Sequence, residues 1–262
     1  MRAPVRPLKG LGQHFLNSPE IAANIAGALT RSEAYDQVLE IGPGTGVLTS
    51  HLLQHTSKKL FCIEVDDRSV QYLVDNFPQL RDFIIYDDFL HASLKELGEK
   101  PFAVIGNFPY NISSQILFRV LDMYERVPEL VGMFQKEVAM RIASGPGSKD
   151  YGILSVLLQA HYDIEYLFTV PPEVFIPPPK VQSGVIRMIL KKEAELNCDP
   201  VAFKRIIKTG FNQRRKTLRN SLKSLLPVDR TDIPYLDKRP EQLHYTQFVE
   251  LTMSMKHSVG GG

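Results

Sequence analysis

Over its first two thirds the sequence alternates short apolar runs with stretches of helical periodicity, and this alternation leaves few folds open. The runs at 37–42, 59–65, 82–87, 102–107, 130–134, 164–169 and 184–190 read as strands, with helical patterns at 17–29, 47–55, 68–76, 113–124, 137–143 and 152–161 between them. Parallel neighbours in a sheet require a crossover, which a helix supplies. The expected class is therefore α/β, a parallel sheet covered on both faces. The last two runs are separated by PPEVFIPPPKVQSG instead of a helix, so they are expected to pair antiparallel through a long rigid loop. After about residue 195 the strand signals stop, and three helical segments follow near 200–210, 213–226 and 240–256. Two domains are expected: 1–195, and a small all-helical domain at 196–262. The terminal Gly260–Gly262 reads as a tail.

The charge supports that division. The 262 residues hold 31 Lys and Arg against 29 Asp and Glu, a net of +2 that argues for neither a basic nucleic-acid binder nor an acidic disordered chain. Divided at 195, the first part carries 19 basic and 23 acidic residues and the second 12 and 6, so the total is a cancellation of −4 and +6. Within the second part, 203–223 (FKRIIKTGFNQRRKTLRNSLK) has eight Lys and Arg and no acid. Lys204, Lys208, Arg214, Arg215, Lys216, Arg219 and Lys223 are candidate contacts to a polyanion, with Arg215, Arg219 and Lys223 expected as an i, i+4 row on one helix. A helix break is expected near Gly210-Phe211-Asn212.

VLEIGPGTGVLTSHLL (38–53) is an apolar strand, a glycine turn and a helix start. Gly42, Gly44 and Gly46 allow a sharp turn and close approach of a ligand to the main chain. The spacing is G-x-G-x-G, not the G-x-G-x-x-G of dinucleotide sites, and an acid, Glu40, lies inside the preceding strand. A carboxylate there is expected to repel a diphosphate and attract a sulfonium. Glu64 ends the next strand, where a carboxylate can accept the ribose hydroxyls of an adenosine, and Asp88 follows the strand after that, where it can accept from the adenine amine. Acceptors without cations suit S-adenosylmethionine better than NAD.

VIGNFPYNISS (104–114) follows the fourth run. Asn107 is an amide at the end of an apolar strand, Phe108 and Pro109 form a turn, and Tyr110 is an aromatic beside it. An amide oxygen and a turn carbonyl converging on one point suit an amino group, and a neighbouring ring can stack a flipped base. The combination points to methylation of an exocyclic amine.

At these residues the chain resembles the ribosomal RNA adenine N6,N6-dimethyltransferases. The likeness rests on EIGPGTG, Glu64, Asp88 and above all NFPY, and extends to GQHFL near the start, FQKEV (134–138), FIPPPKVQS and FNQRRKTLRNSL, which together span nearly the whole chain. It implies a Rossmann-like S-adenosylmethionine-dependent methyltransferase sheet with a small helical RNA-binding domain. It also implies cofactor contacts at His14, Leu16, Gly42, Glu64, Asp88 and Asn107. His14 stands where the family usually has Asn, which leaves open whether its side chain or its main chain makes the contact. Phe108 replaces a frequent Leu, but the chemistry uses its carbonyl. Phe175, in the proline-braced loop, is a candidate for the second face of the base and equally a core anchor; Phe15 reads as packing. The basic segment and the intact PPPKVQS look like the small-subunit branch. The implied substrate is then two adjacent adenines in a hairpin loop near the 3′ end of small-subunit (16S) rRNA, within an assembling subunit, each receiving two methyl groups.

Competing readings are a large-subunit rRNA enzyme, a DNA adenine methyltransferase and a non-catalytic assembly factor. The two cysteines, Cys62 and Cys198, lie far apart without a His cluster, so neither a disulfide framework nor a metal site is expected. No stretch reaches the roughly 18 to 20 apolar residues that span a bilayer, and the start lacks the apolar core of a signal peptide. A cytoplasmic, monomeric protein without a membrane partner is expected.

Overall fold

A strand that is apolar at every position has to be covered on both faces, and Phe102–Asn107 is such a strand: residues 102–106 are all buried. In the computed structural model, which describes residues 5–227 and 232–256, this segment lies inside a seven-stranded sheet. The tail at Gly260–Gly262 lies outside the described residues. In chain order the elements are β1 (Phe15–Leu16), α1 (Pro19–Ala26), β2 (Gln37–Ile41), α2 (Val47–His55), β3 (Lys59–Glu64), α3 (Asp67–Asn76) and β4 (Ile84–Tyr86). There follow β5 (Phe102–Asn107), α4 (Ser113–Asp122), β6 (Glu129–Gln135), α5 (Lys136–Ala143), α6 (Ile153–His161), β7 (Tyr162–Val170), β8 (Phe175–Ile176) and β9 (Ser183–Leu190). Helices α7 (Pro200–Asn212), α8 (Leu218–Ser221) and α9 (Tyr245–Lys256) complete the described chain.

The sheet order is β4-β3-β2-β5-β6-β9-β7, with β2 to β6 parallel to their neighbours and β9 antiparallel to β6. The chain runs outward from β2 through β3 to β4 and then returns to the other side of β2 with β5. Carboxyl ends at such a reversal open a crevice, the usual ligand position in sheets of this kind. The sheet is thus mostly parallel, as expected, and the two runs joined by the proline loop, β7 and β9, lie side by side at one edge, where β9 runs antiparallel to β6. That loop also carries β8, which pairs antiparallel with β1, opposing Phe15 to Ile176 and Leu16 to Phe175. Pairs of two residues leave no periodicity in a sequence, and this small sheet was not anticipated.

Helix starts follow local chemistry. Ser18 caps α1 with Pro19 at its first position, and Asp199 caps α7 by accepting from the N–H groups of Val201 and Ala202 at 2.8 and 3.0 Å.

The chain divides into two units, Met1–Ala139 with Ile164–Leu190, and Met140–Asp163 with Lys191–Gly262. A single boundary at 195 therefore misassigns 140–163. Helix α6 packs against α7 and α9, burying Val156, Leu157 and Leu158. Composition marks where strands stop, not which core a helix joins. In this second unit Phe211 lies against Tyr151 and Phe248 at centroid distances of 6.3 and 6.2 Å. Helix α7 continues through Gly210 and ends at Asn212, so the break falls at the last of the three residues where it is expected. The helix expected at 213–226 is reduced to α8, because Leu218 and Arg219 donate their N–H groups to the carbonyls of Lys238 and Leu236 at 2.8 and 2.7 Å. No continuous helix carries Arg215, Arg219 and Lys223 as one row.

Two buried acids set the energetics of the first unit. Glu129 in β6 is 0% exposed, and its carboxylate accepts from Thr30 N–H and Oγ1–H, Arg31 N–H and the Tyr35 hydroxyl at 2.9, 3.0, 3.0 and 2.8 Å. It fastens the segment after α1 to the sheet. Replacing Glu129 by Ala strands four donors, and each buried unpaired group costs about 1–3 kcal/mol. We expect Glu129→Ala to lose at least about 3 kcal/mol in chemical denaturation; a loss below about 1 kcal/mol would show that water replaces the carboxylate. Glu40 in β2 is 1% exposed and accepts from Thr49 Oγ1–H at 2.7 Å and from the Cys62 thiol at 3.9 Å. Burial outweighs these bonds and pushes its carboxyl up to about 8 from an ordinary 4.5. A carboxyl raised on folding holds its proton more tightly in the native state. Its contribution is therefore complete below about pH 4.5, declines as the pH rises and is lost above about 8. Glu40→Gln should flatten the fall in stability between pH 5 and pH 8.5, read as the difference between denaturation midpoints of wild type and variant.

Candidate active site

The crevice at the carboxyl ends of β2, β3, β4 and β5 holds a pocket of about 220 Å³. Gly42, Gly44, Glu64, Asp88, Asn107, Phe108, Pro109, Tyr110 and His14 all line it, so nine residues selected from sequence converge on one cavity. The turn after β2 has positive φ at Gly42 and Gly44, 66° and 56°. At Gly44 a side chain is also excluded by space, since a Cβ would stand 2.7 Å from the Phe15 ring, which packs there as expected.

Glu64, at the end of β3, accepts from Gly44 N–H at 3.1 Å through one oxygen, and from Val65 and Asp66 N–H at 2.9 and 3.0 Å through the other. Burial raises its carboxyl above the usual range while these bonds pull the other way. The acid therefore shapes the glycine turn as well as facing the pocket. Asp88 accepts from Leu90 N–H at 2.9 Å, which fixes the carboxylate just beyond β4. Glu40 differs from expectation. Burial raises it to about 8 and favours its neutral form, which weakens the carboxylate field expected at this position. Among the described residues the lining contains Glu64 and Asp88 and no Lys or Arg, a composition that disfavours phosphate.

Asn107 is held by the N-terminal segment. Its Nδ2 donates to the main-chain carbonyl of His14 at 2.8 Å. A carbonyl only accepts, so the amide can take one orientation there, and Oδ1 remains as the free acceptor. Phe108 N–H donates to Met133 O at 3.2 Å, and its ring, 1% exposed, meets Phe134 edge-on at 5.0 Å. The ring fits because two strand neighbours have no side chain: a Cβ would come within 2.8 Å of it at Gly106 and 2.4 Å at Gly132. These glycines were missed, although an isolated glycine inside an apolar strand is a recognisable sign of close approach. Also unforeseen was Gln13, which lines the pocket and donates to Asp66 at 2.9 Å, tying the N-terminal segment to the end of β3.

Tyr110 is half-buried, its hydroxyl 2.6 Å from Ser183 Oγ, and burial raises its pKa. The His14 imidazole stacks on its ring and hydrogen-bonds Pro177 O. Leu16 is buried and faces a smaller adjoining cleft shared with Gly42 and Asn107. Phe175 does not reach the pocket. At 2% exposure it lies opposite Leu16 within the apolar core, the placement of an anchor beneath the loop.

In the second unit Lys208, Arg215, Lys216, Arg219 and Lys223 are exposed, and Lys204 and Arg214 half-buried. Several have protein partners: Arg214 donates to Ser148 O at 3.0 Å, Arg219 pairs with Asp237 at 3.0 Å, and Lys204 and Lys208 are also engaged. The positive field is thus partly cancelled by an acid outside the basic run. Among the described residues no three His, Cys, Asp or Glu side chains are grouped to hold a metal ion, and no helix is long and apolar enough to cross a membrane.

Comparison with known proteins agrees with this geometry. Residues 8–256 match the family described as ribosomal RNA adenine dimethylase. The chain is 57% identical to the ribosomal RNA small subunit methyltransferase A of Parabacteroides distasonis, over 97% of this chain and 96% of that one. It is 55% identical to the protein of the same name from Cytophaga hutchinsonii, over 95% and 96%. Among solved structures it resembles a dimethyladenosine transferase from Plasmodium falciparum, with a TM-score of 0.78, 25% identity and coverage of 93% and 98%. A 23S rRNA methyltransferase, ErmE, matches with a TM-score of 0.65, 25% identity and coverage of 91% and 99%. With its acid-lined crevice, its oriented Asn107 and a match that runs almost end to end, the chain belongs to the ribosomal RNA adenine dimethylase family.

Proposed function

We propose that this protein transfers methyl groups from S-adenosylmethionine to the N6 amines of two adjacent adenines in the 3′-terminal hairpin loop of small-subunit rRNA, two per adenine, during assembly of the small subunit. In this reading it acts as a monomer in the cytoplasm. The observation that carries it is the orientation of Asn107, whose Oδ1 is the amide end left to face an amine donor, at the rim of a pocket without cations. The small-subunit assignment is supported by relatives of that name at 55 and 57% identity, against 25% for the 23S rRNA enzyme.

The pocket fits the cofactor through its acceptors: Glu64 for the ribose hydroxyls, Asp88 for the adenine amine, and the main chain at Gly42 and Gly44 for close approach. When bound, the cofactor supplies an electrophilic methyl group. In the first transfer Asn107 Oδ1 and the Phe108 carbonyl accept the two N6 hydrogens of the target, drawing the nitrogen lone pair out of conjugation with the ring; in the second the monomethylated nitrogen donates its one remaining hydrogen to one of them. Tyr110 stacks on the base. Because the nitrogen becomes cationic on methylation, its proton leaves readily to water, and no strong general base is required. Positioning and fixed dipoles account for the rate. Phosphates of the RNA are held by the basic segment of the second unit, chiefly Arg215, Lys216 and Lys223, since Arg219 already has Asp237.

Labelled cofactor incubated with unmethylated small subunits should place label on two neighbouring adenines of the 3′-terminal loop, and an unmodified loop refutes the substrate. Asn107→Ala should keep its melting temperature and lose at least about 100-fold in single-turnover transfer; near wild-type transfer contradicts the mechanism. Lys216→Ala and Lys223→Ala should each weaken RNA binding and lower the slope of log affinity against log salt by about one, leaving cofactor affinity unchanged. The same measurement on Arg219→Ala should give a smaller change.

A further inference from the structure

Tyr110 is held from two directions by groups outside its own turn. Its hydroxyl reaches Ser183 Oγ at 2.6 Å, and its ring lies on the His14 imidazole with centroids 5.6 Å apart and planes 25° from parallel. His14 is itself fixed. Its Nδ1 is 2.7 Å from the Pro177 carbonyl oxygen, and because that oxygen only accepts, Nδ1 carries the hydrogen. The register of the small sheet explains this contact. Phe15 opposes Ile176, so His14, one residue before β1, meets Pro177, one residue after β8. Pro177 and Ser183 flank a single proline-rich loop, which therefore holds Tyr110 by two routes, directly through Ser183 and indirectly through His14.

We propose that the His14 side chain is a positioning residue for the acceptor base: stacked behind Tyr110 and tethered to the proline loop, it sets the ring plane on which the target adenine lies. The proposal rests on the reading above that Tyr110 stacks on that base. It divides the work of His14 between its two parts. The main-chain carbonyl orients Asn107 and so belongs to the reacting nitrogen and the cofactor pocket. The imidazole belongs to the plane of the base. A Tyr110 ring without its stacking partner keeps the hydroxyl bond but can tilt about it, and a tilted base carries N6 away from Asn107 Oδ1. Displacements of this kind are felt in the transfer step more than in binding.

Because a side-chain substitution leaves the carbonyl in place, the two parts can be separated. The test uses the full chain, S-adenosylmethionine and unmethylated small subunits, and measures single-turnover methyl transfer together with calorimetric cofactor affinity. His14→Ala should slow transfer about tenfold, the scale of one aromatic stacking contact, with cofactor affinity changed less than about twofold. His14→Phe, which keeps a ring and loses the donor, should recover most of the rate. His14→Asn, which keeps a donor and loses the ring, should not. In a Tyr110→Leu background His14→Ala should cause no further loss, since the residue acts through Tyr110.

Three results overturn the proposal: an unchanged rate in His14→Ala, a tenfold loss that persists in the Tyr110→Leu background, or weakened cofactor affinity at an unchanged rate, which makes the imidazole a cofactor contact. Wild-type protein that transfers no methyl to small-subunit adenines refutes the functional reading instead, and is distinguished by that control.

Discussion

A main-chain carbonyl has no hydrogen to give, so the 2.8 Å bond from Asn107 Nδ2 to His14 O decides which end of the amide is left as an acceptor. Much of the first unit serves that bond. The carbonyl is in place because β1 pairs with β8 and because Gln13 is tied to Asp66 at the end of β3. The amide is in place because β5 lies between β2 and β6, parallel to both, and because the next residue buries its ring. A polar end on an apolar strand would otherwise rotate; here the N-terminal segment and the sheet fix it from opposite sides.

The parts of this arrangement that were legible in the sequence are those with a period or a turn chemistry. Alternating strands and helices gave the layered sheet, the glycines after β2 gave the cradle, and acids at successive strand ends gave the lining. The parts that were not legible depend on partners distant in the chain. Nothing near Phe175 indicates that Leu16 lies opposite it, and nothing near Leu218 indicates that its N–H finds Lys238. The charge state of Glu40 was misjudged for the same reason: a carboxyl inside a strand reads as an anion until burial on every side is known. Gly106 and Gly132 stand between these cases, since the sequence displays them and only the packing of the Phe108 and Phe134 rings and the Ile41 carbonyl explains them.

The charge division survives a change of boundary. Segment 140–163, which joins the second unit, contains Arg141 and Lys149 against Asp150 and Asp163, and 191–195 contains two basic and two acidic residues. Moving both leaves +6 on the helical unit and −4 on the sheet unit. The segregation is a property of the two folded bodies and not of an arbitrary cut. An acidic lining and a basic face can coexist on one chain because their carriers have separate cores, each free to set its surface without upsetting the other's packing.

The seating of Phe108 has a consequence for how such a sequence can drift. A side chain at Gly132 meets the Phe108 and Phe134 rings, and one at Gly106 meets the Phe108 ring and the Ile41 carbonyl. A larger residue at either position therefore has to wait for change in several neighbours at once. Two small residues on separate strands are thereby bound to the history of a loop that neither of them belongs to.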